Sequence, residues 1–115
     1  MDRKKELKEQ YKQMKPDMGV LIVKSNLTNK CHIEASQDLK STINKIKFQL
    51  KMNSHYNKKL QKVWNEYGEA SFAIEILEYL KYDKDETKAD YSEELEILKF
   101  IWEEKLANKG MEAIK

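Results

Sequence analysis

The sequence predicts an α+β fold, with a small, largely antiparallel sheet of three strands flanked by helices in the order α-β-β-α-α-β-α. Two apolar runs, at 18–24 and 30–36, are separated only by a short polar turn, which is typical of a hairpin. Most other apolar residues recur at helical spacing. A length of 115 residues suits a single domain, 1–115, with residues 1–16 as a helical extension and 18–105 as the core.

The chain begins with a lysine-rich stretch. Within residues 2–15, Leu7, Tyr11 and Met14 recur at spacings of four and three, which predicts a helix with a narrow apolar stripe. Pro16 ends this helix, because a proline disfavours helical geometry in the residue before it.

The predicted hairpin is the most apolar part of the chain. Residues 18–24 are nearly all apolar or β-branched, which predicts a strand buried on both faces. In residues 30–36 apolar and polar side chains alternate, which places His32 and Glu34 together on the outward face of the second strand. We therefore expect His32 at the surface.

Two helices follow the hairpin. Residues 37–52 carry apolar residues at spacings of four, three and four, with Asp38 as the N-cap or as an acid in the first turn. Residues 57–67 have the same kind of stripe and end before Gly68, where a left-handed C-cap belongs.

A third strand and a last helix complete the order. The strand covers residues 72–77, and a charged, loop-like stretch follows over 81–90. Asp90 or Ser92 is the predicted N-cap of the last helix, which has an acidic first turn and ends at residues 108–110.

The composition indicates a globular chain, with 40% hydrophobic and 37% charged residues. No apolar run approaches the roughly 20 residues of a membrane span, so we expect no membrane partner. No signal peptide is evident in the first residues. The single cysteine, Cys31, cannot form an internal disulfide, which fits a reducing cytoplasm.

Charge is distributed unevenly along the chain. Residues 38–62 hold seven lysines and one acid, whereas residues 75–104 hold eleven acids and four lysines. The first region could attract phosphate, or both could be solvated helix faces whose charges balance within the fold. Arg3 is the only arginine, so the basic region supplies point charges without the planar, bidentate guanidinium.

Two blocks of the sequence carry a family resemblance. Gly19-Val20-Leu21 and His32-Ile33-Glu34 stand at the spacing of two motif triplets, with a polar turn between them. A second block consists of a predicted helix, a glycine and a predicted strand. Its characteristic residues are His55, Asn57, Leu60, Trp64, Tyr67, Gly68 and Phe72. Together these blocks resemble the GIY-YIG nuclease superfamily over about residues 18–105, and the second is similar to its homing-endonuclease subgroup.

The resemblance implies a DNA-cleaving site that uses one divalent metal, usually Mg²⁺. In active members a tyrosine helps to deprotonate the attacking water, an arginine steadies the phosphate and a glutamate holds the metal. Position by position, the tyrosines fall at Leu21 and His32 and the arginine at about Thr42. The metal glutamate maps to Glu96, with Glu94 as the near alternative.

These substitutions predict a catalytically degenerate member of the family. Leu21 has no oxygen, and no arginine within the domain replaces the lost one. Losing one preorganised charge-stabilising group typically costs about 2–4 kcal/mol of transition-state stabilisation. The predicted function is therefore a nucleic-acid-binding or protein-interaction module, without a cofactor. Its candidate phosphate contacts are four lysines: Lys40, Lys45, Lys47 and Lys58.

The alternative is a divergent, metal-dependent DNA endonuclease. His32 would act as a base near neutral pH, and Glu96 would bind Mg²⁺. Each candidate also has a purely structural alternative: a surface histidine, one acid of a solvated helix face, or lysines that keep a helix soluble. The oligomeric state does not follow from the sequence.

Overall fold

The structure is a computed structural model that describes residues 15–114. In chain order its elements are β1 (Met18–Ser25), β2 (Lys30–Ser36), α1 (Leu39–Lys51), α2 (Lys58–Tyr67), a 3₁₀ turn (Glu69–Ser71), β3 (Phe72–Leu80), α3 (Ser92–Asn108) and β4 (Glu112–Ala113). The helix predicted over residues 2–15 lies almost entirely outside the described residues, and the single domain over 1–115 stays a prediction. None of the described helices has the length and apolarity needed to cross a membrane.

The four strands form one sheet in the order β3-β1-β2-β4. β1 pairs antiparallel with β2, with Leu21 opposite Glu34 and Val23 opposite His32. It also pairs antiparallel with β3, across an irregularity between Val20 and Leu21. The α+β prediction and the hairpin are therefore confirmed.

The prediction of three strands missed one, because β4 joins the sheet as a fourth. It runs parallel to β2 and pairs only with Lys30 and Cys31. The Ile114 amide donates to the Cys31 carbonyl at 2.7 Å, which extends the contact by one residue. A strand of two residues is too short to show a periodic pattern, so sequence periodicity could not reveal it.

Helices cover both faces of the sheet. α1 and α2 pack on the face that carries Leu21 and Val23, and α3 packs on the face that carries Val20 and Ile22. Because β1 sends apolar side chains into both layers, it is buried on both faces, as predicted. The central strand therefore anchors both helical layers.

The N-cap of α1 and the glycine that follows α2 stand at the predicted positions. Asp38 accepts a hydrogen bond from the Ser41 amide at 3.1 Å, which makes it the N-cap of α1. Asn57 caps α2 at its start, and Gly68 follows its last residue with a φ of +85°. Because L-residues rarely adopt that conformation, the glycine is required there.

The start of α3 differs from the prediction of Asp90 or Ser92 as N-cap. Tyr91 holds the N-cap position, and its side chain makes no capping hydrogen bond. Asp90 instead accepts from the Ser92 amide two residues on, in a local turn that competes with capping. The ring of Tyr91 is buried against Met18 and Leu95, so packing decides this residue's position.

Gly19 allows β1 and β3 to approach each other closely. A Cβ atom on Gly19 would lie 2.0 Å from the Glu78 carbonyl oxygen and 2.9 Å from the Tyr79 Cα. Both neighbours are backbone atoms, which cannot move without separating the strands. Any side chain at this position must therefore disturb the sheet.

We expect Gly19→Ala to lower the free energy of unfolding by about 3 kcal/mol or more, because the added carbon overlaps strand backbone. Gly110→Ala is the matched control, since Gly110 has open space around it and only a left-handed φ of +85°, which costs roughly 1–2 kcal/mol. Urea unfolding followed by circular dichroism measures both. Equal stability of the two variants would contradict the prediction.

Candidate functional site

A cleft of about 670 Å³ lies beside β2, between the start of α2, one flank of α3 and the chain after β4. Its walls are formed by His32, Ile33, Tyr56, Asn57, Lys58, Lys59, Lys99, Glu103, Ala113 and Ile114. An adjoining cleft of about 320 Å³ shares Lys59 with it and adds Lys30 and Lys62. Lysines from β2, α2 and α3 thus border these two adjoining clefts, together with a few acids.

His32 is buried, so the prediction of a surface histidine is wrong. The segment that joins α1 to α2 covers this face of β2 and brings Tyr56 and Asn57 against the ring. The period-2 pattern of β2 correctly paired His32 with Glu34 on one face, but it carries no information about what covers that face.

The side chain of Asn57 fixes the hydrogen bonding around His32. Its Oδ1 accepts from the Lys59 and Leu60 amides at 3.1 and 3.2 Å, so its Nδ2 must point the other way. Nδ2 donates to the Ile114 carbonyl at 3.1 Å and approaches His32 Nδ1 at 3.5 Å. These contacts assign the role of acceptor to Nδ1 of the neutral ring.

A short chain of hydrogen bonds follows from this assignment. Nε2 of the neutral His32 ring carries the proton and donates to the Tyr56 hydroxyl at 3.2 Å. Tyr56 in turn donates to Glu34 Oε1 at 3.1 Å. The three side chains therefore form an ordered relay from His32 through Tyr56 to Glu34.

The surroundings shift the pKa values within this relay. Burial raises the pKa of the Glu34 carboxyl, but the nearby His32 and the hydrogen bond from Tyr56 outweigh it, and the net pKa is lowered. Burial, followed by the charge of Glu34, raises the pKa of Tyr56 to about 12. Tyr56 is therefore protonated at neutral pH, and neither it nor His32 offers the cleft an unoccupied base.

His55 lies behind this relay in the protein interior. It is fully buried, and its Nδ1 accepts from the Asn57 amide at 3.0 Å, so Nε2 carries the proton. His55 Nε2 and Glu34 Oε2 are buried atoms without a hydrogen-bond partner in the described part of the chain. Burial, followed by the nearby His32, lowers the pKa of His55, which favours the neutral ring.

Two positions of the family's catalytic set lie outside the cleft. Leu21, at the first tyrosine position, is fully buried in the core beneath α1 and α2. Thr42, at the arginine position, is half-buried, and its hydroxyl shares a 2.6 Å hydrogen bond with the Ser36 hydroxyl. Leu21 offers no polar group, and the Thr42 hydroxyl does not line the cleft.

Glu96 is exposed on α3, and helical spacing puts it on the same flank as Lys99 and Glu103. Those two residues line the cleft, whereas Glu96 does not. The alternative, Glu94, accepts a hydrogen bond from the Lys88 ammonium at 2.6 Å. Glu96 therefore lies on the flank of α3 that borders the cleft but does not line the cleft itself.

The residues around the cleft do not fit a Mg²⁺ site as they are arranged. Mg²⁺ requires oxygen ligands in near-octahedral geometry, usually with one or two carboxylates. Glu34 accepts a hydrogen bond from Tyr56 and has His32 beside it, and Glu96 does not line the cleft. Within residues 15–114, no three histidine, cysteine or acidic side chains form a group that could hold a metal ion.

The four predicted phosphate contacts are not brought together. Lys58 lines the cleft, and Lys45 lies close enough to His55 for its charge to act on that ring. Lys40 lines a different groove beside Ile76, and Lys47 is exposed on α1.

Sequence reasoning missed Tyr56, Asn57, Glu34 and Lys99 as parts of this site. Asn57 had a local signal, because an asparagine before an apolar stripe is a typical N-cap. Tyr56 had none, since its contact with Glu34 spans 22 positions and depends on how α1 and α2 pack. Lys99 lies within the acidic region, where charge counting hides it.

No protein-family model and no curated protein matches the chain. Among solved structures, the chain is similar to the catalytic domain of homing endonuclease I-TevI, at 24% identity and a TM-score of 0.66, over 85% of this chain and 98% of that one. A glutamate-to-alanine mutant of the catalytic domain of intron endonuclease I-TevI gives 25% identity and a TM-score of 0.62, over 81% and 87%. I-TevI is a GIY-YIG homing endonuclease, so the predicted resemblance is confirmed at the level of the fold.

We expect His55 to make stability depend on pH. Its folded pKa lies below the unfolded value of about 6.5, so below that pH the unfolded chain gains a proton that the folded chain excludes. The free energy of unfolding should therefore fall as the pH drops from 7 to 5, by at most about 1.4 kcal/mol per pH unit for one group. Urea titrations at several pH values measure this slope.

The control is His55→Asn, which keeps an acceptor for the Asn57 amide but does not titrate. The variant should be less stable at pH 7 and should lose less stability towards pH 5 than the unmodified chain. Parallel stability curves for the variant and the unmodified chain would contradict the assigned role of His55.

Proposed function

We propose that this chain is a nucleic-acid-binding module on a nuclease-like fold whose catalytic set is degenerate. The observation that carries the proposal is the cleft beside β2, which is lined by Lys58 and Lys59 from α2 and by Lys99 from α3. Clustered lysines attract a phosphate backbone and release its counterions on binding. The adjoining cleft extends the lysine border through Lys30 and Lys62.

The structural neighbours support nucleic acid as the partner. Both are domains of an endonuclease, and the likeness covers more than four fifths of this chain. Because fold alone does not establish function, the lysine border of the cleft carries the argument and the likeness supports it.

Three features support the loss of catalysis. Leu21 is a core residue, and the hydroxyl of Thr42 is bonded to Ser36 rather than directed at a ligand. The proton-carrying groups of His32 and Tyr56 are used within their own relay. Within residues 15–114, a phosphodiester in this cleft would therefore meet lysines but no arginine that could stabilise its charge.

The compartment that we propose is the cytoplasm. Cys31 is the only cysteine and is buried. Burial, followed by the charge of Glu103, raises the pKa of its thiol, which disfavours the reactive thiolate. A single unreactive thiol is compatible with a reducing compartment.

We expect salt-sensitive binding to short DNA in fluorescence anisotropy titrations. The double variant Lys58→Gln/Lys59→Gln should bind more weakly at low salt, with a slope of log affinity against log salt that is shallower by about 0.9 for each lost contact to duplex phosphate. Lys81→Gln/Lys84→Gln is the matched control, because these lysines are exposed in the segment after β3 and line neither cleft.

Absence of binding at the lowest salt would end the nucleic-acid proposal and leave the protein-interaction role. The candidate surface for that role is the outer side of α3, where three large apolar side chains are exposed: Ile97, Phe100 and Ile101. An equal effect of the two double variants would show that binding follows net charge rather than the cleft.

The alternative function, a divergent endonuclease, is tested by nicking of supercoiled plasmid with Mg²⁺ or Mn²⁺. We expect no nicking above background, because His32 and Tyr56 are occupied and Glu96 stands apart from them. Glu96→Ala is the control. Nicking that this substitution abolishes would establish the endonuclease, whereas nicking that survives it would indicate a contaminant or a different site.

A further inference from the structure

Tyr56 is held rigidly at the wall of the cleft. Its hydroxyl is bonded to both Glu34 and His32, at 3.1 and 3.2 Å. Its ring stacks on that of His55, with 4.5 Å between ring centres and 27° between the planes. Because His55 is fully buried, it forms a fixed support behind the tyrosine ring.

Despite these contacts, Tyr56 is 61% exposed. One face of its ring is covered by His55, and its hydroxyl end is occupied by the relay. The exposed area must therefore include the opposite face of the ring, and Tyr56 is one of the residues that line the cleft. A flat aromatic surface in a fixed orientation is thus open to a ligand.

Lysines predominate around this surface, where Glu103 also lines the cleft and Glu34 is bonded to the Tyr56 hydroxyl. Lys58 and Lys59 follow Tyr56 closely in the chain, and Lys99 reaches the same cleft from α3. A volume of about 670 Å³ lies in the range of small-molecule sites, so a base with its sugar fits within it. A group stacked on Tyr56 would have its phosphates near the lysines.

We propose that Tyr56 is a stacking platform for an unpaired nucleobase and that the cleft therefore prefers single-stranded nucleic acid to duplex. This inference rests on the proposed nucleic-acid-binding function. Aromatic side chains flanked by lysines bind single strands with little regard to sequence, because every base has a flat face. In a duplex those faces are covered by neighbouring bases, so only the phosphates remain for the lysines.

The test compares Tyr56→Leu with the unmodified chain on a single-stranded oligonucleotide and on the matching duplex. Affinity for the single strand should fall between about fivefold and a hundredfold, and affinity for the duplex should change little. Tyr56→Phe keeps the ring and should keep most of the preference. Tyr79→Leu is the matched control, since Tyr79 is 56% exposed on β3, which is the opposite edge strand of the sheet.

A second measurement uses the unmodified protein and so does not depend on how the variants fold. An oligonucleotide of equal length that carries abasic sugars keeps its phosphates but offers no ring to stack. It should bind several-fold more weakly than the normal single strand. Equal binding of these two strands would overturn the inference.

The outcomes separate this inference from the function on which it rests. If single strand and duplex bind equally, or Tyr56→Leu and Tyr79→Leu behave alike, Tyr56 is no platform. If Lys58→Gln/Lys59→Gln still weakens binding in that case, the nucleic-acid function remains. If the chain binds neither strand nor duplex at low salt, both proposals fail together.

Discussion

The side chain of Asn57 joins three parts of the chain that are far apart in sequence. Its oxygen caps the first turn of α2, and its nitrogen bonds the carbonyl of Ile114 and faces the ring of His32. Its backbone amide is bonded to His55. The orientation of both histidines, and through them that of Tyr56, therefore depends on this one residue. A cap that also orders a polar network is a stronger constraint than a cap alone.

Local patterns predicted the elements, and long-range packing determined the site. The hairpin, the two central helices and the glycine after α2 each leave a signal within a few residues, so they could be read from spacing and turn chemistry. The two-residue β4 leaves no such signal. Nor does the burial of His32, which follows from the segment between α1 and α2 folding over β2. Alternation assigns a side chain to a face of a strand but cannot say what covers that face.

The fold places the basic and the acidic regions of the chain on different surfaces. Lysines border the clefts beside β2, while the outer side of α3 carries Glu93 and Glu104 in exposed positions. A phosphate backbone is attracted to the first surface and repelled by the second, which would confine its path to the β2 edge of the sheet. Because the cations are lysines, this surface attracts phosphate through its positive charge but lacks the bidentate hydrogen bonding that an arginine offers.

The buried polar network around His55 and Glu34 lowers the stability of the fold. His55 Nε2 and Glu34 Oε2 have no partner in the described residues, and each unsatisfied buried group costs about 1–3 kcal/mol. Apolar residues of similar volume would avoid that cost. Apolar residues could not accept a hydrogen bond from the Tyr56 hydroxyl. The polar network does so, and His55 also supports one face of the ring. The arrangement is therefore better explained by a need to position Tyr56 than by a need to stabilise the core.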